Sequence, residues 1–89
     1  MTLIEVPTRY RVPTGGAATI SVEADTVRAC IEAADLKHPG FGELVLDRHG
    51  EIKRFVKLFV NGEQLARDAL DSPISDADTI SVLTAAAGG

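Results

Sequence analysis

The sequence has one cysteine, no tryptophan and only four aromatic residues, Tyr10, Phe41, Phe55 and Phe59. A lone Cys30 excludes an internal disulfide, and without a Cys-x-x-Cys partner it excludes a cysteine metal site. Few aromatics mean that the core must be aliphatic. No stretch approaches the roughly 18 apolar residues of a membrane span, and Met-Thr-Leu-Ile-Glu-Val lacks the basic start of a secretory leader. A cytoplasmic protein without a membrane partner is therefore expected. Bases are the minority, 9 against 13 acids, for a formal charge of −4. That balance disfavours nucleic acid, whose phosphates would be repelled, and favours a basic protein partner. No base follows Arg67. Asp68, Asp71, Asp76 and Asp78 collect there, whereas Arg48, Lys53, Arg54 and Lys57 crowd the middle. The two histidines, His38 and His49, stand apart without ligand-spaced neighbours and read as surface residues. Asp76 and Asp78 read as a turn signal rather than a metal pair, so no metal site is expected. A phosphate-cradling glycine loop with Lys and Ser/Thr is also missing, and the chain is expected to bind no cofactor of its own.

What is present is one domain's worth of regular pattern. Eighty-nine residues lie near the lower end of what folds on a single core. Thr2 to Val6 alternates as a half-buried strand, with Thr2, Ile4 and Val6 on one face and Leu3 and Glu5 on the other. Pro7 ends it by removing a backbone donor, and Thr14-Gly15-Gly16 supplies the turn back to a second strand at Ala18, Ile20 and Val22. At Asp25 the period changes. Val27, Cys30, Ile31 and Ala34 fall on one helical stripe, with Asp25 as the expected N-cap and Lys37-His38-Pro39-Gly40 as the stop. Cys30 on that stripe reads as core rather than nucleophile. Phe41 to Leu46 suggests a brief second helix. Arg54 to Val60 is the strongest strand, followed by Asn61-Gly62, which suits a type I′ hairpin, and a short return over Glu63 to Leu65. Asp76-Ala77-Asp78 turns into a last strand, Thr79 to Thr84.

Strand, strand, helix, strand, short strand, strand is the order of an α+β fold of the β-grasp (ubiquitin-like) type. It would form a mixed sheet of four to five strands packed on one main helix, over residues 1–84. Alternation puts Val56, Leu58, Val60, Ile80 and Val82 toward the helix. Phe55, Lys57, Phe59, Ser81 and Leu83 then point to the open side, and Phe59 with Leu83 is the expected partner contact, flanked by Lys57 and Phe55. Residues 85–89, Ala-Ala-Ala-Gly-Gly, are expected to form a flexible tail with no side chain larger than methyl. Extended, they reach roughly 17 Å, slim enough for a narrow channel. A glycine pair at a chain end is also what a frayed end looks like. Here it leaves a core strand with no charged or serine-rich linker between, which favours a working terminus.

These residues resemble a family. Val6-Pro7, Asp25-Thr26-Val27, Val60-Asn61-Gly62, Asp76-Ala77-Asp78 and Ala87-Gly88-Gly89 together are similar to the MoaD/ThiS group of ubiquitin-like sulfur carriers. Val6-Pro7-Thr8 with Arg11, Thr14-Gly15-Gly16, and Arg54-Phe55-Val56 running into Val60-Asn61 resemble most the CysO branch, which serves cysteine formation. A departure is Thr84-Ala85, where many members have a proline soon after the last strand.

The resemblance implies a mechanism. A ubiquitin-activating-like adenylyltransferase would use Mg-ATP to adenylate the carboxylate of Gly89, with Gly88 and Ala87 threading its channel. A sulfur donor would then make a thiocarboxylate that a second, sulfur-accepting biosynthetic enzyme consumes. The chain would be a carrier and no enzyme, monomeric on its own. Three alternatives share part of this pattern. A MoaD-type small subunit would donate to a pterin precursor, and a ubiquitin-like modifier would join lysines through Gly89. A non-covalent regulatory subunit would not need the tail at all.

Overall fold

The computed structural model describes residues 1–84. Its elements run β1 (Thr2–Glu5), a single 3-10 turn (Thr8–Tyr10), β2 (Thr19–Val22), α1 (Val27–Lys37), α2 (Phe41–Val45), β3 (Val56–Val60), β4 (Glu63–Gln64) and β5 (Thr79–Thr84). The sheet order is β2-β1-β5-β3-β4. β1 and β5 pair in parallel at its centre, with Ile4 opposite Ile80, and every other pairing is antiparallel. Hairpin strands flanking a parallel central pair, with a helix on one face, make this the β-grasp arrangement.

One face of the sheet and the apolar stripe of α1 bury each other. Ile4, Val22, Val27, Cys30, Ile31, Ala34, Phe41, Val45, Leu58 and Ile80 lose all solvent contact. Each large aliphatic side chain so buried contributes about 1.5–3 kcal/mol. Thr2 is buried too, and its hydroxyl donates to the Ser75 carbonyl at 2.9 Å, so strand β1 is tied to the turn that starts β5. At the hairpin, Asn61 and Gly62 have φ of 51° and 86°, the two positive angles that a type I′ turn demands.

The sequence-derived boundaries need correction at several ends, beginning with β1, which stops at Glu5 and leaves Val6 just beyond it. The N-cap of α1 is Thr26, whose hydroxyl accepts from the Ala29 amide at 3.1 Å, and not Asp25. The distant segment 70–74 causes this. The amide of Ile74 donates to the Asp25 carbonyl, while the amides of Val27 and Arg28 donate to the carbonyls of Ser72 and Leu70. Those bonds fix the Asp25 backbone and satisfy two helix-terminal amides that would otherwise lack partners. Strand β3 begins at Val56 rather than Arg54, because Arg54 and Phe55 form a turn closed by the Val56 amide donating to the Lys53 carbonyl. Ala18 bends outside β2 and is exposed, and Leu65 falls just past β4. The brief second helix lies where Phe41 to Leu46 suggested.

Candidate functional site

β5 is the central strand from which residues 85–89 depart. Its last residue, Thr84, sits opposite Val56 at the start of β3. The chain therefore leaves beside the Arg54–Phe55 turn. β1 runs parallel to β5, so the connection after β1, with Arg9, Arg11 and Val12, lies at this same end of the sheet. Val12 is almost fully exposed, and Arg11 Nε donates to the Val6 carbonyl at 3.1 Å, which pins the loop back on β1. On the other flank the Arg67 guanidinium donates to the carbonyls of Ile52, Lys53 and Val56 and fixes the Arg54–Phe55 turn. The exit is thus framed by two braced loops rich in bases. The acidic turn Asp76–Asp78 is at the opposite end of β5, so the charge segregation in the sequence becomes a polarity along one strand.

The open face of the sheet carries the predicted contact residues. Lys57 is directly opposite Leu83, and Phe59 is directly opposite Ser81, so Phe59 and Leu83 are diagonal neighbours. Diagonal positions on one face lie within reach of long and aromatic side chains. Leu83 is 49% and Phe55 56% exposed, and Phe59 is half-buried. Phe55 belongs to the preceding turn rather than to β3, and the Arg54 guanidinium lies 5.7 Å from its ring centroid. That cation–π contact holds an apolar ring and a positive charge together at the exit. Ser81 donates its hydroxyl to the Glu5 carboxylate on β1, so the row beside Phe59 is polar. Val60, by contrast, packs against the core.

Gly89, Gly88 and Ala87, the residues expected to do the chemistry, lie outside the described residues. The sequence reading did not single out Arg54, Arg67 or Val12 for the site. Arg54 could have been noticed as a base adjoining an exposed aromatic, and Val12 as an apolar residue in a turn-rich loop. Arg67 carried no local signal. Among the described residues no group of His, Cys, Asp and Glu is arranged to hold a metal, and no helix is long and apolar enough to cross a membrane. Burial pushes the Cys30 thiol above its ordinary range, consistent with a packing role.

A β-grasp domain whose central strand ends at Thr84 beside an open face can be compared with known proteins. The ThiS family pattern matches residues 4–89, and so includes both terminal glycines. The chain belongs to the ThiS family. Its relatives within this family include the sulfur carrier protein CysO of Mycobacterium bovis, 34% identical over 97% of this chain and 96% of that protein. The structure is similar to the Amycolatopsis orientalis BexX/CysO complex (TM-score 0.91, 28% identity, all of both chains covered). It is also similar to Mycobacterium tuberculosis CysO (TM-score 0.88, 31% identity, 96% of this chain and 99% of that one). The departure at Thr84-Ala85 therefore does not remove the chain from the ThiS family.

Proposed function

We infer that this ThiS-family chain is a sulfur carrier that works through the carboxylate of Gly89. The observation that carries this reading is the position of residues 85–89. They follow in sequence from Thr84, the last described residue of the central strand, which ends beside the open face and the two braced basic loops, in a chain whose family match runs through Gly88-Gly89. A carboxylate is a poor electrophile until one oxygen becomes a leaving group. A ubiquitin-activating-like partner, using its own Mg-ATP, supplies that: a carboxylate oxygen bonds to the α-phosphorus and pyrophosphate leaves. A sulfur nucleophile then adds to the acyl carbon and AMP departs, leaving a thiocarboxylate. Its soft, ionised sulfur attacks the acceptor held by a second enzyme.

This chain's residues bind and orient, and contribute no catalyst. Phe59, Leu83, Lys57 and Phe55 dock the activating enzyme, and Ala87-Gly88-Gly89 enters its channel, where the lack of side chains lets nucleotide and backbone approach closely. The reading places the protein in the cytoplasm with its ATP-using partner. The CysO relatives favour cysteine or another small sulfur metabolite as the destination of the sulfur.

The test uses the activating enzyme from the same organism, Mg-ATP and a sulfide source. Intact-mass measurement should show one oxygen replaced by sulfur, and fragmentation should place it on Gly89. Deleting Gly89 should abolish the exchange with the domain still folded, and Gly88→Val should impair it by blocking the channel. Sulfur on another residue, or exchange that persists without Gly89, would overturn the reading.

A further inference from the structure

A second surface lies on the helical side of the molecule, away from the open face of the sheet. A groove of about 490 Å³ runs between α1 and α2 and is lined by Ile31, Leu36 and Leu46 together with acids. Leu36 is 84% exposed although it borders this groove, and it takes no part in the core. Glu32, Asp35, Glu43 and Asp47 surround the apolar strip, against one base, Arg48. Arg48 also lines the neighbouring depression with His49 and Lys53, so the acidic character fades toward that end.

The walls are fixed before anything binds. Gly42 allows α2 to approach α1 closely, since a Cβ there would come within 3.0 Å of the Asp35 Cβ. The Asp35 carboxylate accepts the amides of Gly40 and Gly42 at 3.1 and 2.9 Å. The Asp47 carboxylate accepts those of His49 and Glu51 at 2.8 and 3.1 Å. Those bonds, the Glu51 amide first, hold the Asp47 carboxyl below the usual carboxylate range. Arg28 donates to the Gly50 carbonyl and ties the loop to α1. A groove held this way loses little freedom on binding.

We propose that this groove is a second docking site, for a cationic segment of a partner protein that inserts an aliphatic side chain between Leu36 and Leu46. Charge complementarity selects the occupant. Four carboxylates around an apolar strip attract Lys and Arg flanking an apolar anchor and repel an acidic segment. A second copy of this chain, with its formal charge of −4, is the poorer match. Because the groove and the open face of the sheet are on opposite sides of the molecule, one partner can hold the helical side while the tail is used.

The isotopically labelled full chain, titrated with the peptide Lys-Arg-Leu-Leu-Arg-Lys and followed by amide chemical shifts, tests this. Shifts should cluster on residues 32–36 and 42–48. Replacing both peptide leucines by serine should weaken binding about fivefold or more, as should Leu36→Ser in the protein. Glu43→Arg should weaken it further by reversing a charge at the mouth. Leu36 and Glu43 are both exposed, so dispersed spectra of each variant are expected. Shifts centred on Phe59 and Leu83, or equal affinity of the serine peptide, would overturn the proposal. Sedimentation showing a dimer that Glu43→Arg disperses would assign the groove to a second copy and overturn it as well.

Discussion

Lys57 and Leu83 stand directly opposite each other on the open face of the sheet, the last outward-facing cross-strand pair before the chain leaves β5. An ammonium and an isobutyl group side by side give that edge both steering charge and contact area. Leu83→Ser should weaken binding to the activating enzyme by about 1 kcal/mol or more, as for a central contact in a partner surface. Its half-exposed position limits the stability change to roughly 0.5 kcal/mol. Calorimetric titration set against urea unfolding separates the two effects. A variant that unfolds would show that Leu83 packs in the core.

Ile31, on the buried stripe of α1, has no solvent contact and belongs to the core. Ile31→Ala should destabilise by roughly 2–5 kcal/mol, from lost burial and the cavity left behind. Urea denaturation measures this directly, and an effect near zero would contradict the packing of α1.

Thr26, not Asp25, caps α1. Thr26→Ala should cost about 1 kcal/mol of unfolding free energy. Asp25→Ala should cost clearly less, because the contribution of Asp25 to the helix start runs through its backbone carbonyl, which alanine keeps. Paired denaturation curves decide which residue caps, and a reversed ranking would contradict the geometry.

The Asp78 carboxyl is held below its ordinary value of 3.8, first by the Ser75 amide and then by the side chain of Asn61. Ser75 donates at 2.8 Å from its amide, and Asn61 Nδ2 donates at 2.8 Å. A carboxyl lowered in the folded state contributes stability that is complete above its unfolded value and lost as pH falls through the folded one. Acidification below about pH 4 should therefore loosen the turn that starts β5. Asp78→Asn should flatten that part of the stability profile, which thermal melts across acidic pH can follow. An unchanged slope would show that the turn does not depend on the charged form.

Much of this fold is legible locally because its signals are local. The stripe Val27, Cys30, Ile31 and Ala34 is a matter of spacing, and all four residues are fully buried. Asn61-Gly62 is legible as a hairpin from its tolerance of two positive φ angles, although Asn61 also bonds Asp78 and Thr79 across the fold, and Val56 and Leu58 go inward by alternation. What escaped were residues whose partners are far away in the chain. Ile52, Leu70 and Ile74 sit in irregular segments without period, yet all are buried: segment 70–74 crosses the start of α1, and Ile52 pairs with Leu46 after α2. Arg54 and Phe55 satisfy strand propensity, but the Arg67 guanidinium, bound to three carbonyls around them, holds a turn instead.

The same division separates the two parts of the candidate site. The sequence by itself determined that Ala-Ala-Ala-Gly-Gly follows the last strand, and the match to the ThiS family extends over it. Alternation also sorted Phe59 and Leu83 to the open face. Only the tertiary structure decided what surrounds the exit. Parallel pairing of β1 with β5 carries the Arg9–Val12 loop to that end, and antiparallel pairing of β3 brings Arg54 and Phe55 to the other flank. The groove between α1 and α2 likewise exists only because Gly42 permits their close approach. Periodicity reports which face a residue occupies. Strand order and helix packing decide which faces meet, and those follow from contacts between distant parts of the chain.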